Sequence, residues 1–141
     1  MSYKVIIIGN IDEQEKTWDL VHFLCQQHGL TEKEADVFAV AVGEAYGNGL
    51  LYSPGHYSEL LLDFQMDQIS AEITNKGEEI KFHEIDEFSK DQDFQKYKDG
   101  SLGIPMIKTL VDEVTYTREK GKNRLILKKF INSDKNAIRR K

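Results

Sequence analysis

Apolar residues recur along this chain at two spacings, and the switches between them mark its elements. Tyr3 to Ile8 is a β-branched run that ends at Gly9-Asn10 and predicts a first strand. From residue 12 to residue 28, Trp18, Val21, Leu24 and Cys25 fall at helical spacing. Asp12, Glu13 and Glu15 suit the start of that helix, and Gly29 suits its stop. Thr31 followed by Glu34 is a capping-box pattern. It opens a long helix expected from about residue 32 to about residue 53, broken by Pro54-Gly55. Ser58 to Phe64 and Ile69 to Thr74 read as strands joined by a tight turn at Met66-Asp67-Gln68, and Asn75-Lys76-Gly77 closes the second run.

The pattern then lapses. Residues 78–100 are crowded with Asp, Glu, Lys and Gln, and the aromatics Phe82, Phe88, Phe94 and Tyr97 are far apart. A long polar loop inside a domain is commonly functional or disordered. Helical spacing returns with Ile104, Met106, Ile107, Leu110 and Val111, with Pro105 placed in the first turn. Val114 to Thr117 and Leu125 to Ile131 read as final strands around the turn Glu119-Lys120-Gly121-Lys122. This order predicts an α+β fold, a two-layer α/β sandwich with a mixed, mainly antiparallel sheet and helices on one face. Residues 1–131 are expected to form a single domain, followed by a basic tail at 132–141.

Composition narrows the function classes. The 141 residues are 40% hydrophobic and 30% charged, ordinary for one globular domain. A net charge of -5 argues against nucleic-acid binding by a basic surface. The tail residues Lys135, Arg139, Arg140 and Lys141 are the local exception. Cys25 is the single cysteine, so no intramolecular disulfide forms, and its place in a helical stripe suits a small core residue. No leader pattern and no apolar stretch of membrane-spanning length is present, so a cytoplasmic protein with neither membrane nor direct nucleic-acid partners is expected.

The candidate chemistry lies in the long helix, in Gly43-Glu44-Ala45-Tyr46-Gly47-Asn48. Glu44 and Asn48 are four apart, on one helix face, among Phe38, Val40, Ala41, Val42, Ala45, Leu50 and Leu51. Burying a carboxylate and a carboxamide there is expensive without a partner. A magnesium ion carrying a phosphate would fit, since magnesium takes oxygen ligands and few of them from protein. A solvated or internally bonded pair is the competing reading. Gly100-Ser101-Leu102-Gly103 before a helix exposes backbone N–H groups at a positive helix end, an anion-binding arrangement.

Taken in order, the Glu44/Asn48 helix, the strand end with Asn75 and Gly77, the polar loop and the glycine turn resemble the GHKL ATPase superfamily. Within it, the chain is similar to the small anti-sigma factor serine/threonine kinases, from about residue 30 to about residue 131. Gly100-Ser101-Leu102-Gly103-Ile104-Pro105-Met106-Ile107-Lys108 and Leu110-Val111-Asp112-Glu113-Val114-Thr115-Tyr116 carry the second half of the likeness.

The resemblance implies a GHKL (Bergerat) ATP-binding fold with ATP and magnesium as cofactors. Asn48 would coordinate the magnesium and Glu44 would take the proton of the attacking hydroxyl. Asn75 stands where the family has an aspartate that accepts from the adenine amino group. Gly77 would let the backbone approach the base. Gly100, Ser101, Leu102 and Gly103 would frame the phosphates, and residues 78–100 would form the ATP lid. The implied partners are a sigma factor and an anti-sigma-factor antagonist to be phosphorylated on serine or threonine. The first strand and helix of the family commonly contribute to a dimer interface, which leaves a homodimer open.

Three departures stand out. Asn75 replaces the usual Asp and loses the charge-assisted part of the bond. Glu78 and Glu79 bring negative charge to the nucleotide end. Asn123-Arg124 occupies a place where the family commonly has a threonine that helps hold the base. They motivate the alternative expectation, a non-catalytic partner-binding module on the same fold with a degenerate nucleotide pocket. His22 and His28, on the first helix, read as surface or packing residues.

Overall fold

A computed structural model describes residues 2–8, 13–52, 57–79 and 103–131, with side chains at 15–47, 58–79 and 107–131. The chain runs β1 (Ser2–Ile8), α1 (Glu13–Gln27), α2 (Glu32–Tyr52), β2 (Tyr57–Phe64), β3 (Gln68–Lys76), α3 (Gly103–Leu110), β4 (Glu113–Glu119) and β5 (Lys122–Phe130). The five strands form one sheet in the order β1-β2-β3-β5-β4. Each neighbouring pair is antiparallel, so the described sheet is wholly antiparallel rather than mixed.

Local chemistry explains the helix ends. Thr31 N–H donates to Glu34 Oε1 at 2.9 Å and Glu34 N–H donates to Thr31 Oγ1 at 3.1 Å, a reciprocal capping box. At the end of α1, Gly29 takes a φ of 93°, the left-handed conformation that lets Leu30 N–H reach back to the Cys25 carbonyl at 3.1 Å.

Side chains alternate along the strands. In β3, Ile69, Ala71, Ile73 and Asn75 are buried, while Ser70, Glu72 and Thr74 are half-exposed. In β5, Asn123, Leu125 and Leu127 are buried on the same face. The helices cover that face. α2 is the hub, touching α1, α3, β2, β3 and β5. Phe38, Val42, Leu60, Leu62, Ile69 and Leu127 are among the fully buried side chains of the core between helices and sheet. From α1, Val21 and Cys25 join this core with Trp18 and Leu24 against it, as their spacing predicts. Burial pushes the Cys25 thiol up to about 12. His22 stacks on Trp18 at 5.0 Å and His28 on Phe64 at 4.3 Å, packing roles for both.

The strands extend past their sequence limits. β3 continues through Asn75 to Lys76, and the last hairpin closes on two residues, Lys120 and Gly121, both at positive φ (51° and 77°). That is the backbone of a tight primed turn, which matches the twist of paired strands. It lengthens β4 to Glu113–Glu119 and starts β5 at Lys122, whereas polar Glu119 and Lys122 read as turn residues in the sequence. Ile131 falls just beyond β5, its N–H bonded to the Asp67 carbonyl at 2.8 Å. The expected tail, and all but Glu78 and Glu79 of the expected lid, lie outside the described residues.

Candidate functional site

The buried stripe of the sheet changes character at one end. Asn75 and Asn123 are direct cross-strand partners, 3% and 1% exposed, in line with Ile73 and Leu125 on the helix-covered face. Burying two carboxamides costs free energy unless their polar atoms are bonded. Asn123 is bonded at every position. Its Nδ2 donates to Glu78 O at 2.7 Å and to Asn75 Oδ1 at 3.1 Å. Its Oδ1 accepts from Tyr116 Oη at 2.5 Å and from Arg118 Nη1 at 2.9 Å. Arg118 Nη1 also reaches the Gly77 carbonyl at 2.8 Å, and Gly77 N–H donates to the Gly121 carbonyl at 3.2 Å.

This network bears on two sequence expectations. Asn75 sits inside β3, and the acceptor oxygen expected to face an adenine amino group is held by Asn123. Of the pair Asn123-Arg124, only Asn123 faces the covered side. Arg124 projects from the opposite face, where it pairs with Glu72, because neighbours in a strand point to opposite faces. Glu78 and Glu79, whose charge would repel a phosphate if it pointed inward, have exposed side chains. Arg118 and Tyr116 were missed by motif reading. Their signal is the two-residue turn, which sets Arg118 opposite Asn123.

Glu44 lies in the second half of α2, half-buried, beside Ala45 and Tyr46, which are buried. Burial raises its carboxyl above the ordinary value, and among the described residues no hydrogen bond or ion pair offsets that cost. Asn48 follows one turn later on the same helix. Its side chain lies outside the described residues, as do Gly100, Ser101 and Leu102, while Gly103 opens α3. The structure therefore brings Asn75, Gly77, Asn123, Tyr116 and Arg118 together and places Glu44 on the helix that covers the sheet. Two clefts, of about 350 and 320 Å³, open at the same end of the sheet among outward residues that include Thr74 and Lys122.

Residues 15–129 match the histidine kinase-like ATPase domain family. The chain belongs to this family. It is 27% identical over 105 residues to the serine-protein kinase RsbW of Staphylococcus aureus strains JH9 and Newman, an overlap of 66% of this chain. The chain spans 64% of the length of those curated relatives. Its fold is similar to that of a chain in the crystal structure of the SiaB–SiaC complex from Pseudomonas aeruginosa. The TM-score is 0.64 at 13% identity, covering 92% of this chain and 89% of that one. No helix among the described residues is long and apolar enough to cross a membrane.

Proposed function

We propose that this chain is an anti-sigma regulatory factor that binds a sigma factor and phosphorylates an anti-sigma-factor antagonist on serine or threonine with Mg-ATP. Phosphorylation releases the antagonist and frees the regulator to hold sigma, a partner switch in the cytoplasm. The observation that carries this reading is Glu44, a half-buried carboxylate with a raised pKa and no bonding partner among the described residues. A structural helix has no use for such a group, whereas a proton acceptor works best with a pKa near the working pH. The serine-protein kinase RsbW, similar over 66% of this chain, supports the assignment.

Within residues 1–131, Glu44 would take the proton of the antagonist's hydroxyl as that oxygen bonds the terminal phosphorus and the bond from phosphorus to the bridging oxygen breaks, with ADP as the leaving group. Asn48, one turn on, offers an amide oxygen, a donor class that magnesium accepts. Bound magnesium neutralises phosphate charge. Asn75 and Gly77 border the base. Gly100, Ser101, Leu102 and Gly103, which run up to the start of α3, would frame the phosphates. Residues from about 78 to 100 act as the lid. Most of the rate enhancement comes from positioning and electrostatics.

The test is transfer of labelled γ-phosphate from Mg-ATP to a cognate antagonist. Glu44→Gln is expected to slow transfer by roughly 10²- to 10⁴-fold, the range for losing a general base, with antagonist binding retained. Transfer by the variant at the unaltered rate would remove Glu44 from this role. The saturated network around Asn123 favours a second reading, a binding module without catalysis. On that reading calorimetry finds no nucleotide binding, and Glu44→Gln changes neither transfer nor partner affinity.

A further inference from the structure

The hydrogen bonds around Asn123 fix which end of each amide points where. A guanidinium only donates, so the atom of Asn123 facing Arg118 Nη1 at 2.9 Å is its oxygen. A peptide carbonyl only accepts, so the atom facing Glu78 O at 2.7 Å is its nitrogen. Both constraints agree, and a flipped Asn123 violates both. The second N–H of that nitrogen reaches Asn75 at 3.1 Å, so the Asn75 atom it meets is the oxygen. What Asn75 keeps is Nδ2, which makes no hydrogen bond among the described residues. A carboxylate here would offer acceptors only, whereas this amide offers a ligand two N–H donors beside the one lone pair that its oxygen keeps.

We infer that the base end of this site does not select adenine and takes a 6-oxopurine nucleoside triphosphate at least as well as ATP. This rests on the nucleotide-binding reading above. The exocyclic amino group of adenine donates, and against Asn75 Nδ2 it meets another donor. The carbonyl oxygen at the same position of a 6-oxopurine accepts. Asn123 is thus a specificity-determining residue that never touches the base, because it holds the oxygen of Asn75 through a network anchored on Arg118 and Tyr116.

The experiment is calorimetric titration of ATP and GTP, each with magnesium, into the full chain and into Asn75→Asp and Asn123→Ala. The wild-type chain is expected to bind GTP no more weakly than ATP. Asn75→Asp, which swaps the free N–H donors for an acceptor in the same shape, is expected to shift the ratio of dissociation constants toward ATP by roughly tenfold or more. Asn123→Ala shifts it the same way by freeing the Asn75 oxygen, with a thermal melt checking that the variant is folded. Tenfold or greater preference for ATP in the wild-type chain, or no change of the ratio in Asn75→Asp, overturns the inference and leaves nucleotide binding standing. Binding of neither triphosphate overturns the nucleotide reading and this inference with it.

Discussion

Two neighbouring rows of one sheet face, Ile73–Leu125–Tyr116 and Asn75–Asn123–Arg118, share strands and pairing, and both are buried on β3 and β5, but they are held by different forces. The first row and those beyond it are secured by apolar area removed from water under α2. Contact of that kind has little directional demand, and substitutions that keep volume are tolerated. The second row is held by a chain of hydrogen bonds in which Asn123 serves Asn75, Glu78, Tyr116 and Arg118 together. Such a network fails as a unit, because one lost partner strands several buried groups. A domain needing only stability would continue the apolar stripe to the end. Ser58 marks the same end of β2, fully buried with an Oγ that has no partner among the described residues. Polarity is concentrated where the candidate site lies.

The largest effect that separates the regions is expected in the core. Phe38→Ala removes a fully buried ring from the first half of α2 and should cost about 3–5 kcal/mol in urea unfolding. Asn123→Ala should cost about 1–3 kcal/mol for the groups left unsatisfied. Pairing it with Asn75→Ala should cost less than the sum of the single changes, because the two residues share a bond. An additive result would break the contrast between the rows. Thr31→Ala, far from both, removes the cap of α2 and should cost about 1 kcal/mol.

The smallest effect is also the most diagnostic of the polar end. Burial raises the Glu44 carboxyl above its ordinary 4.5, so the folded protein favours the neutral form. Between that ordinary value and the raised one, the folded state holds more protons than the unfolded state. Stability contributed by Glu44 is therefore full below pH 4.5 and lost as the pH rises through the folded value. Glu44→Gln should melt slightly higher than wild type at pH 7, and the gap should close in acid. A gap that widens in acid would mean that the carboxylate is paired in the folded protein.

The core was legible in the sequence and the polar row was not. Trp18, Val21 and Cys25 reveal their face by spacing alone, and Thr31 with Glu34 reveals the start of α2, because both signals are local. Sequence signals place the ends of β3 and β4 and the start of β5 too far inward. Asn75, Glu119, Lys122 and Asn123 carry turn-like chemistry, and only pairing across the sheet makes them strand. The bond between Asn75 and Asn123 joins residues 48 apart and depends on a register that no short window contains. Glu44 was legible as chemistry out of place in an apolar helix. That its carboxyl lacks a partner among the described residues emerged only with its neighbours in position.

The most direct test of the central claim, that Glu44 on α2 and the polar row of the sheet form a nucleotide site, is titration of Mg-ATP into the purified chain by calorimetry. The account predicts saturable binding of one nucleotide, weakened when magnesium is withdrawn. No saturable heat with Mg-ATP or Mg-GTP would contradict it and leave the fold serving protein contacts alone.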